Sequence, residues 1–299
     1  MQIQRVLIAG AGWTGRQIAG QMAAFGVEVT LFDRSDQALQ ASRDWIESQA
    51  AHMRLNGFWP ADETGNLMNR LQTSNSLQEL RSDFDLVLES VSEQFSLKRR
   101  LMKQLSEQFP APTILASNSS YFVPSMLEPH LNSPERFAHY HFHVPIWIAT
   151  LVDIVPGSTT HPETLERLVE LSARIGQTPL VQTVENPGYV FNWMLKALLQ
   201  SALQLVHRQV ATPADIEMVW KKVTGMPIGP FGIMDQIGVD LIEQTMSHAR
   251  FVDGDDAWQP LIDLLKPYIE NNQLGVKTGR GFFEYQAGVI DRTQPVRER

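Results

Sequence analysis

The sequence predicts an α/β protein: a Rossmann-type doubly wound sheet followed by an all-helical C-terminal domain. Three observations predict it. An apolar strand pattern at residues 3–9 runs into Gly10-Ala11-Gly12-Trp13-Thr14-Gly15 and then into an amphipathic helical pattern at 16–25. Strand and helix patterns go on alternating to about residue 185, which argues a mainly parallel sheet with helices on both faces. Beyond Glu185-Asn186-Pro187-Gly188 helical patterns dominate, so the boundary falls between 1–185 and 186–299.

The first turn carries the strongest signal. Gly10 makes a bend too tight for a side chain, Gly12 lets the backbone approach a pyrophosphate, and Gly15 lets the helix pack close to the strand. Gly10, Gly12, Trp13, Thr14 and Gly15 thus form a phosphate cradle at a helix start, where free N–H groups and the helix dipole favour an anion. The next strand pattern, 28–32, ends in Asp33. A carboxylate there accepts hydrogen bonds from ribose hydroxyls and repels a 2′-phosphate, so the expected cofactor is NAD. Arg34 stands beside it.

Further along, a polar helix at 37–55 breaks at Asn56-Gly57-Phe58-Trp59-Pro60, and a second helix precedes a strand at 71–74. Residues 84–89 and 113–116 read as buried strands, with a helix at 96–108 between them. Strands follow at 137–142 and 151–155, then a helix at 162–175. In the second half, apolar helical faces run through 189–210 and 214–223. Glycine and proline interrupt at 225–232 and at Asp253-Gly254, and the polar end at 291–299 is expected to fray.

Composition narrows the class of function. The chain has 299 residues, a formal charge of −8 and 43% hydrophobic residues. It has no basic tract, so nucleic acid is not an expected partner. No apolar run is long enough to span a bilayer, so no membrane partner is expected. The absence of cysteine excludes disulfides and thiol catalysis, and a cytoplasmic location is expected.

Two stretches carry candidate chemistry. Ser117-Asn118-Ser119-Ser120 ends an apolar strand, where folds of this kind place ligands; its hydroxyls can reach cofactor or substrate, or simply turn the chain. His139-Tyr140-His141-Phe142-His143 puts three imidazoles on one strand face. That admits a metal site, with Asp153 as a further ligand. It also admits a general base, with His141 taking an alcohol proton while Asp153 on an adjacent strand holds the other ring nitrogen. The balance falls on the base, with no metal expected.

Along nearly its whole length the chain resembles the L-3-hydroxyacyl-CoA dehydrogenase family. The similarity rests on an ordered set of segments: the glycine turn with Asp33; Val91-Ser92-Glu93 with Lys98; Ser117 to Ser120; His141-Phe142 with Pro145; Leu151-Val152-Asp153; Asn186-Pro187-Gly188-Tyr189-Val190 with Asn192; Gly225 to Phe231 with Asp235; and Lys277-Thr278-Gly279-Arg280-Gly281-Phe282-Phe283. The resemblance implies that His141 is the catalytic base and Asp153 its carboxylate partner. It implies that Ser120 touches the substrate oxygen and the nicotinamide, and that Asn192 bonds the substrate near the reacting carbon. Glu93, Lys98 and Lys277 are then expected along the cofactor, residues 1–185 as the NAD-binding domain, and residues 186–299 as the substrate and homodimerisation domain. The implied reaction is NAD-dependent oxidation of a 3-hydroxyacyl thioester, on CoA or a carrier, within fatty acid metabolism.

The chain departs from the family pattern in three places. The family's glutamate partner is Asp153. Its asparagine in the histidine segment is Val144, beside His143 in place of an aromatic residue. On the helical arm that binds CoA phosphates, Gln49 and Asn56 stand for a serine and a lysine, with Ser48 and Arg54 nearby. Trp13, Trp147 and Trp193 are bulky for a site that admits long acyl chains. Two other readings therefore stand beside the first: a dehydrogenase of a free small hydroxy acid, gulonate- or carnitine-like, and a non-catalytic NAD-binding protein.

Overall fold

The computed structural model describes residues 2–61, 66–253 and 256–285. The expected fraying at 291–299 and the Gly254 interruption lie outside them. Two compact units form, Met1–Val190 and Phe191–Arg299.

In chain order the first unit contains β1 (Arg5–Ala9), α1 (Trp13–Ala24), β2 (Glu28–Phe32), α2 (Asp36–Leu55), α3 (Leu67–Arg70), β3 (Leu71–Ser74) and β4 (Leu86–Glu89). These are followed by α4 (Phe95–Gln108), β5 (Ile114–Ser117), α5 (Pro124–Leu127), β6 (Phe137–Phe142), β7 (Leu151–Pro156), α6 (Pro162–Arg174) and β8 (Thr178–Val181). The eight strands form one sheet in the order β3-β2-β1-β4-β5-β6-β7-β8. Its first six positions follow the 3-2-1-4-5-6 order of doubly wound nucleotide-binding sheets.

Alternation along the strands builds both layers. Val6 and Ile8 of β1 enter one apolar core and Leu7 and Ala9 the other. The central strands are therefore apolar on both faces through residues 6–9, 86–88 and 114–116, as a sheet covered on both sides requires. These aliphatic side chains are fully buried, so Ile8→Ala would cost about 2–5 kcal/mol. On β6 the same alternation sends Tyr140 and Phe142 to the first core with Ala138, and Phe137 to the second. His139 and His141 lie on the Phe137 side.

β6 and β7 pair antiparallel, whereas β5 and β6, and β7 and β8, pair parallel. The link between β6 and β7 is too short for the helical crossover that a parallel pair needs. The register sets Asp153 directly opposite His141. β8 has no counterpart in the sequence reading. It is a four-residue edge strand with Pro179 inside it and a half-exposed pattern, so neither apolar alternation nor β-propensity marks it.

The second unit contains α7 (Phe191–His207), α8 (Pro213–Thr224), α9 (Pro230–Ile237), α10 (Val239–Asp253) and α11 (Gln259–Glu270). They enclose a core that includes Leu199, Leu203, Phe231, Met234 and Leu265. α8 begins in a capping box, Thr212 with Asp215, and ends at Gly225 with φ of 73°. Buried Asp235 of α9 accepts from the backbone N–H groups of Phe282 and Phe283, both at 2.9 Å, and so folds the Lys277–Phe283 segment onto that helix. The helix expected from residue 189 begins only at Phe191. Gly188 and Tyr189 both take positive φ, 80° and 56°, and a left-handed pair cannot open an α-helix. No helix among the described residues is long and apolar enough to cross a membrane.

Candidate active site

The glycine turn leaves no room for a side chain at Gly10 or Gly15. Gly10 has φ of 124°, and a Cβ there would meet the Ser90 carbonyl oxygen at 2.4 Å. A Cβ on Gly15 would lie 1.9 Å from the Gly10 carbonyl oxygen. Gly12 faces open space, and α1 begins there with no side-chain cap. Its first N–H groups, at Trp13, Thr14 and Gly15, are thus available to an anion. Asp33 accepts from the backbone N–H groups of Ala11 at 2.9 Å and Ser35 at 3.0 Å, which fixes its carboxylate at the rim. A cavity of about 570 Å³ runs from Gly10 and Gly12 past Asp33, Arg34 and Ser90 to Arg100. An open cradle, a held acid and a cavity beside them fit a dinucleotide.

A buried charge network ties the ends of β4 and β5 to the start of α4. Lys98, 1% exposed, donates to Glu89 at 2.8 Å and pairs with Glu93 at 3.1 Å. Glu89 also accepts from Ser117 Oγ at 2.6 Å and from the Val91 N–H at 2.7 Å. Glu93 accepts from Ser119 Oγ and from the backbone N–H groups of Ser120 and Tyr121, both at 3.1 Å. Burial opposes charge on both partners. The Lys98 ammonium nevertheless holds the Glu93 carboxyl below its ordinary value, and the two carboxylates hold Lys98 above its own. Lys98 thus holds Glu93, and Glu93 shapes the turn that carries Ser120.

The candidate reacting groups are Ser120, three residues past β5, His141 on β6 and Asp153 on β7. His141 Nδ1 is 3.1 Å from Asp153 Oδ2, and His141 Nε2 is 3.1 Å from Ser120 Oγ. A carboxylate only accepts, so Nδ1 carries the proton and Nε2 offers its lone pair toward Ser120. Burial pushes the His141 imidazole down; Asp153 pulls it back up, and His143 adds to the lowering, with a net fall below the ordinary value. Burial alone would raise Asp153, but its bonds to His141 and His143 outweigh that and hold it below the carboxylate range. His143 Nε2 lies 2.8 Å from the same Asp153 Oδ2, and Gln182 Nε2 donates to Oδ1 at 3.0 Å.

His139 has a different task. Its Nδ1 lies 2.7 Å from the hydroxyl of Tyr189, which donates to the Ser119 carbonyl at 2.6 Å. Desolvation drives the His139 imidazole well below its ordinary value, so it stays neutral. The Tyr189 ring packs 4.8 Å from that of His141. His141, His143 and Asp153 offer potential ligand atoms within 4.8 Å of one another. In the structure those atoms face each other at hydrogen-bond distances, the arrangement of a proton network.

In the first unit the structure brings Ser120, His141 and Asp153 together, with Glu93 and Lys98 behind Ser120. Asn192 lies in the first turn of α7 in the second unit. Lys277 is also in the second unit, where its ammonium donates to Asp240 at 2.6 Å. On α2, Asn56 caps the helix end by donating to the His52 carbonyl, and Gln49 donates to Ser48. Trp13, Trp45 and Trp147 form a chain of ring contacts at 5.6 and 5.9 Å, and the Arg16 guanidinium lies over both Trp13 and Trp45.

The sequence assigns no role to Glu89, Tyr189 or Gln182, although Tyr189 stands in one of the segments shared with the family. A carboxylate ending an otherwise apolar strand, with a lysine nine residues on, was the available signal for Glu89. Tyr189 and Gln182 act through contacts between distant segments, which no local spacing reveals.

The first unit holds both a glycine turn with a fixed acid and a serine–histidine–aspartate line, the parts that a nicotinamide-dependent dehydrogenase requires. Residues 5–185 match the family model for the 3-hydroxyacyl-CoA dehydrogenase NAD binding domain, and residues 188–285 that for its C-terminal domain. The chain belongs to the 3-hydroxyacyl-CoA dehydrogenase family. It is 32% identical to a probable 3-hydroxybutyryl-CoA dehydrogenase of Bacillus subtilis, over 96% of this chain and 99% of the relative. It is 28% identical to the human mitochondrial hydroxyacyl-coenzyme A dehydrogenase, over 95% and 92%. Among solved structures, the (S)-3-hydroxybutyryl-CoA dehydrogenase of Ralstonia eutropha matches with a TM-score of 0.85 and 28% identity, covering 95% of this chain and all of that one. A diketoreductase described as acting on dicarbonyl compounds matches with a TM-score of 0.87 and 32% identity, covering 95% and 100%.

Proposed function

We propose that the protein oxidises a 3-hydroxyacyl-CoA to the 3-ketoacyl form with NAD, with His141 as general base. One observation carries the reading: Asp153 holds His141 Nδ1, which leaves Nε2 free to accept a proton at Ser120. Bound NAD supplies the acceptor for the hydride that leaves C3. His141 Nε2 takes the 3-hydroxyl proton as the carbonyl forms, and the Asp153 carboxylate stabilises the resulting imidazolium. Ser120 Oγ, held by the Glu93-bound turn, donates to the substrate oxygen and fixes its distance from Nε2. In the reverse direction the imidazolium returns its proton to the alkoxide oxygen. On this reading Gly10, Gly12, Trp13, Thr14 and Gly15 hold the pyrophosphate and Asp33 the ribose. Asn192 bonds the substrate, and Lys277 lies toward the cofactor. Exposed Met218, Val219 and Val223 on α8 support a homodimer built through the second unit.

A second reading has its own support. α2 presents Gln49 and Asn56 where a CoA diphosphate calls for a cation, and the dicarbonyl-reducing relative is as similar as the acyl-CoA enzymes. It keeps the same chemistry at His141 but gives it a free hydroxy acid or small hydroxyketone.

NADH absorbance with 3-hydroxybutyryl-CoA, free 3-hydroxybutyrate and a short simple thioester separates the two. Turnover favouring the CoA ester supports the first reading, and turnover confined to the free acid or simple thioester supports the second. NAD binding with no turnover on any hydroxyacyl substrate would overturn both and leave a non-catalytic NAD-binding protein.

A further inference from the structure

Asp153 serves two imidazoles. Its Oδ2 faces His141 Nδ1 at 3.1 Å and His143 Nε2 at 2.8 Å, so the shorter contact belongs to His143. Its Oδ1 is taken by Gln182 at 3.0 Å. All three donors converge on a carboxylate with no exposed surface, and the His143 side chain is itself 10% exposed. A buried carboxylate on one methylene has two torsions to fix, and bonds at both oxygens fix them.

The rings tell the same story. The imidazoles of His141 and His143 pack edge to face, with centroids 4.8 Å apart at 77°. His143 follows β6 by one residue, so its ring stands beside His141 on the same strand face. That contact bars the His141 ring from turning about its own axis, while the shared carboxylate sets the tautomer. A carboxylate only accepts, so Nδ1–H of His141 and Nε2–H of His143 both point into one anionic oxygen.

We propose that His143 is a positioning residue for the dehydrogenase reaction. It locks the Asp153 carboxylate by a hydrogen bond and walls the His141 ring, so that His141 Nε2 is presented to the substrate hydroxyl in one orientation. The proposal rests on His141 acting as the base. It assigns His143 no proton transfer of its own: His143 touches Asp153 and His141, and acts through them.

Two variants separate the hydrogen bond from the ring. His143→Phe keeps an aromatic wall and removes the donor. His143→Gln places an amide N–H near the position of Nε2 and removes the ring. A misplacement near 1 Å in a reacting constellation costs about a hundredfold, so His143→Phe is expected to lower kcat by about ten- to a hundredfold. KM and the NAD dissociation constant should stay within about twofold, because no ground-state contact is lost. His143→Gln should recover at least half of that loss on a logarithmic scale. Each variant is compared with wild type by circular dichroism, so that a fold defect is not taken for a positioning effect.

The second readout needs no substrate. The Nδ1–H proton of His141, donated to a buried carboxylate, gives a downfield imidazole resonance in the NAD-bound protein. His143→Phe should shift or broaden it, and His143→Gln should restore it. Unchanged kcat and an unchanged resonance in folded His143→Phe would overturn the proposal, and so would equal losses in both variants. If the wild type turned over no hydroxyacyl substrate while the resonance still responded to His143→Phe, the assigned reaction would fail and the Asp153 lock would stand.

Discussion

His141 Nε2 and Ser120 Oγ lie 3.1 Å apart, near the ends of adjacent strands whose other contacts fix both groups. Ser120 is set by the Glu93 carboxylate, which binds its N–H and that of Tyr121. His141 is set by Asp153, its register partner on β7. A substrate oxygen placed between the two would meet a donor and an acceptor at once.

Removing the donor should act on the transition state. Ser120→Ala is expected to reduce kcat by about a hundredfold, the cost of one preorganised donor at a developing oxyanion. kcat/KM should fall in parallel, and NAD binding followed by fluorescence should change little. A rise in KM with unchanged kcat would move Ser120 to ground-state binding.

The pH profile follows from the direction of the His141 shift. Burial lowers its pKa from 6.5, so the imidazole is already neutral at pH values where a free histidine is half protonated. Oxidation needs the neutral form. The acid limb of kcat/KM should therefore lie below pH 6.5, with activity lost as pH falls through it. Asp153→Asn removes the interaction that raises the pKa and should move the limb to still lower pH, along with a large fall in kcat. A limb above that of free histidine would contradict the assignment.

Cofactor choice rests on Asp33. Its carboxylate is fixed by Ala11 and Ser35 at the edge of the cavity. Asp33→Ala should narrow the preference for NAD over NADP by about five- to tenfold, the size of one solvent-screened charge pair worth about 1 kcal/mol. The ratio of kcat/KM values for the two cofactors measures it, and an unchanged ratio would shift the determinant to another residue.

Lys98 is a stability prediction. Lys98→Met leaves the Glu89 and Glu93 carboxyls without their cation and should cost about 3–5 kcal/mol, read from urea unfolding. Glu89→Gln in the same chain should return part of the loss, because it removes one of the stranded charges.

The sequence carried some of this architecture openly and hid the rest. The glycine turn was legible because sterics leave no alternative: a Cβ at Gly10 or Gly15 meets backbone. The alternating histidines were legible as one strand face because the side-chain period of a strand is fixed. β8 was not, since Pro179 and a half-exposed edge erase the pattern. Nor was the burial of Lys98. A lysine in the first turn of a polar helix normally reaches solvent, and only Glu89 at the end of β4 and Glu93 just before α4 turn it inward. Tyr189 was read as helix, because its positive φ and its bonds to His139 and Ser119 arise from tertiary contacts.

The measurement that bears most directly on the account is NADH formation from 3-hydroxybutyryl-CoA by wild type and His141→Ala, with NAD affinity measured on both proteins. The account predicts turnover by wild type and a loss of about a thousandfold in His141→Ala, within the range for removal of a general base, with NAD affinity unchanged. Turnover retained in His141→Ala would contradict it.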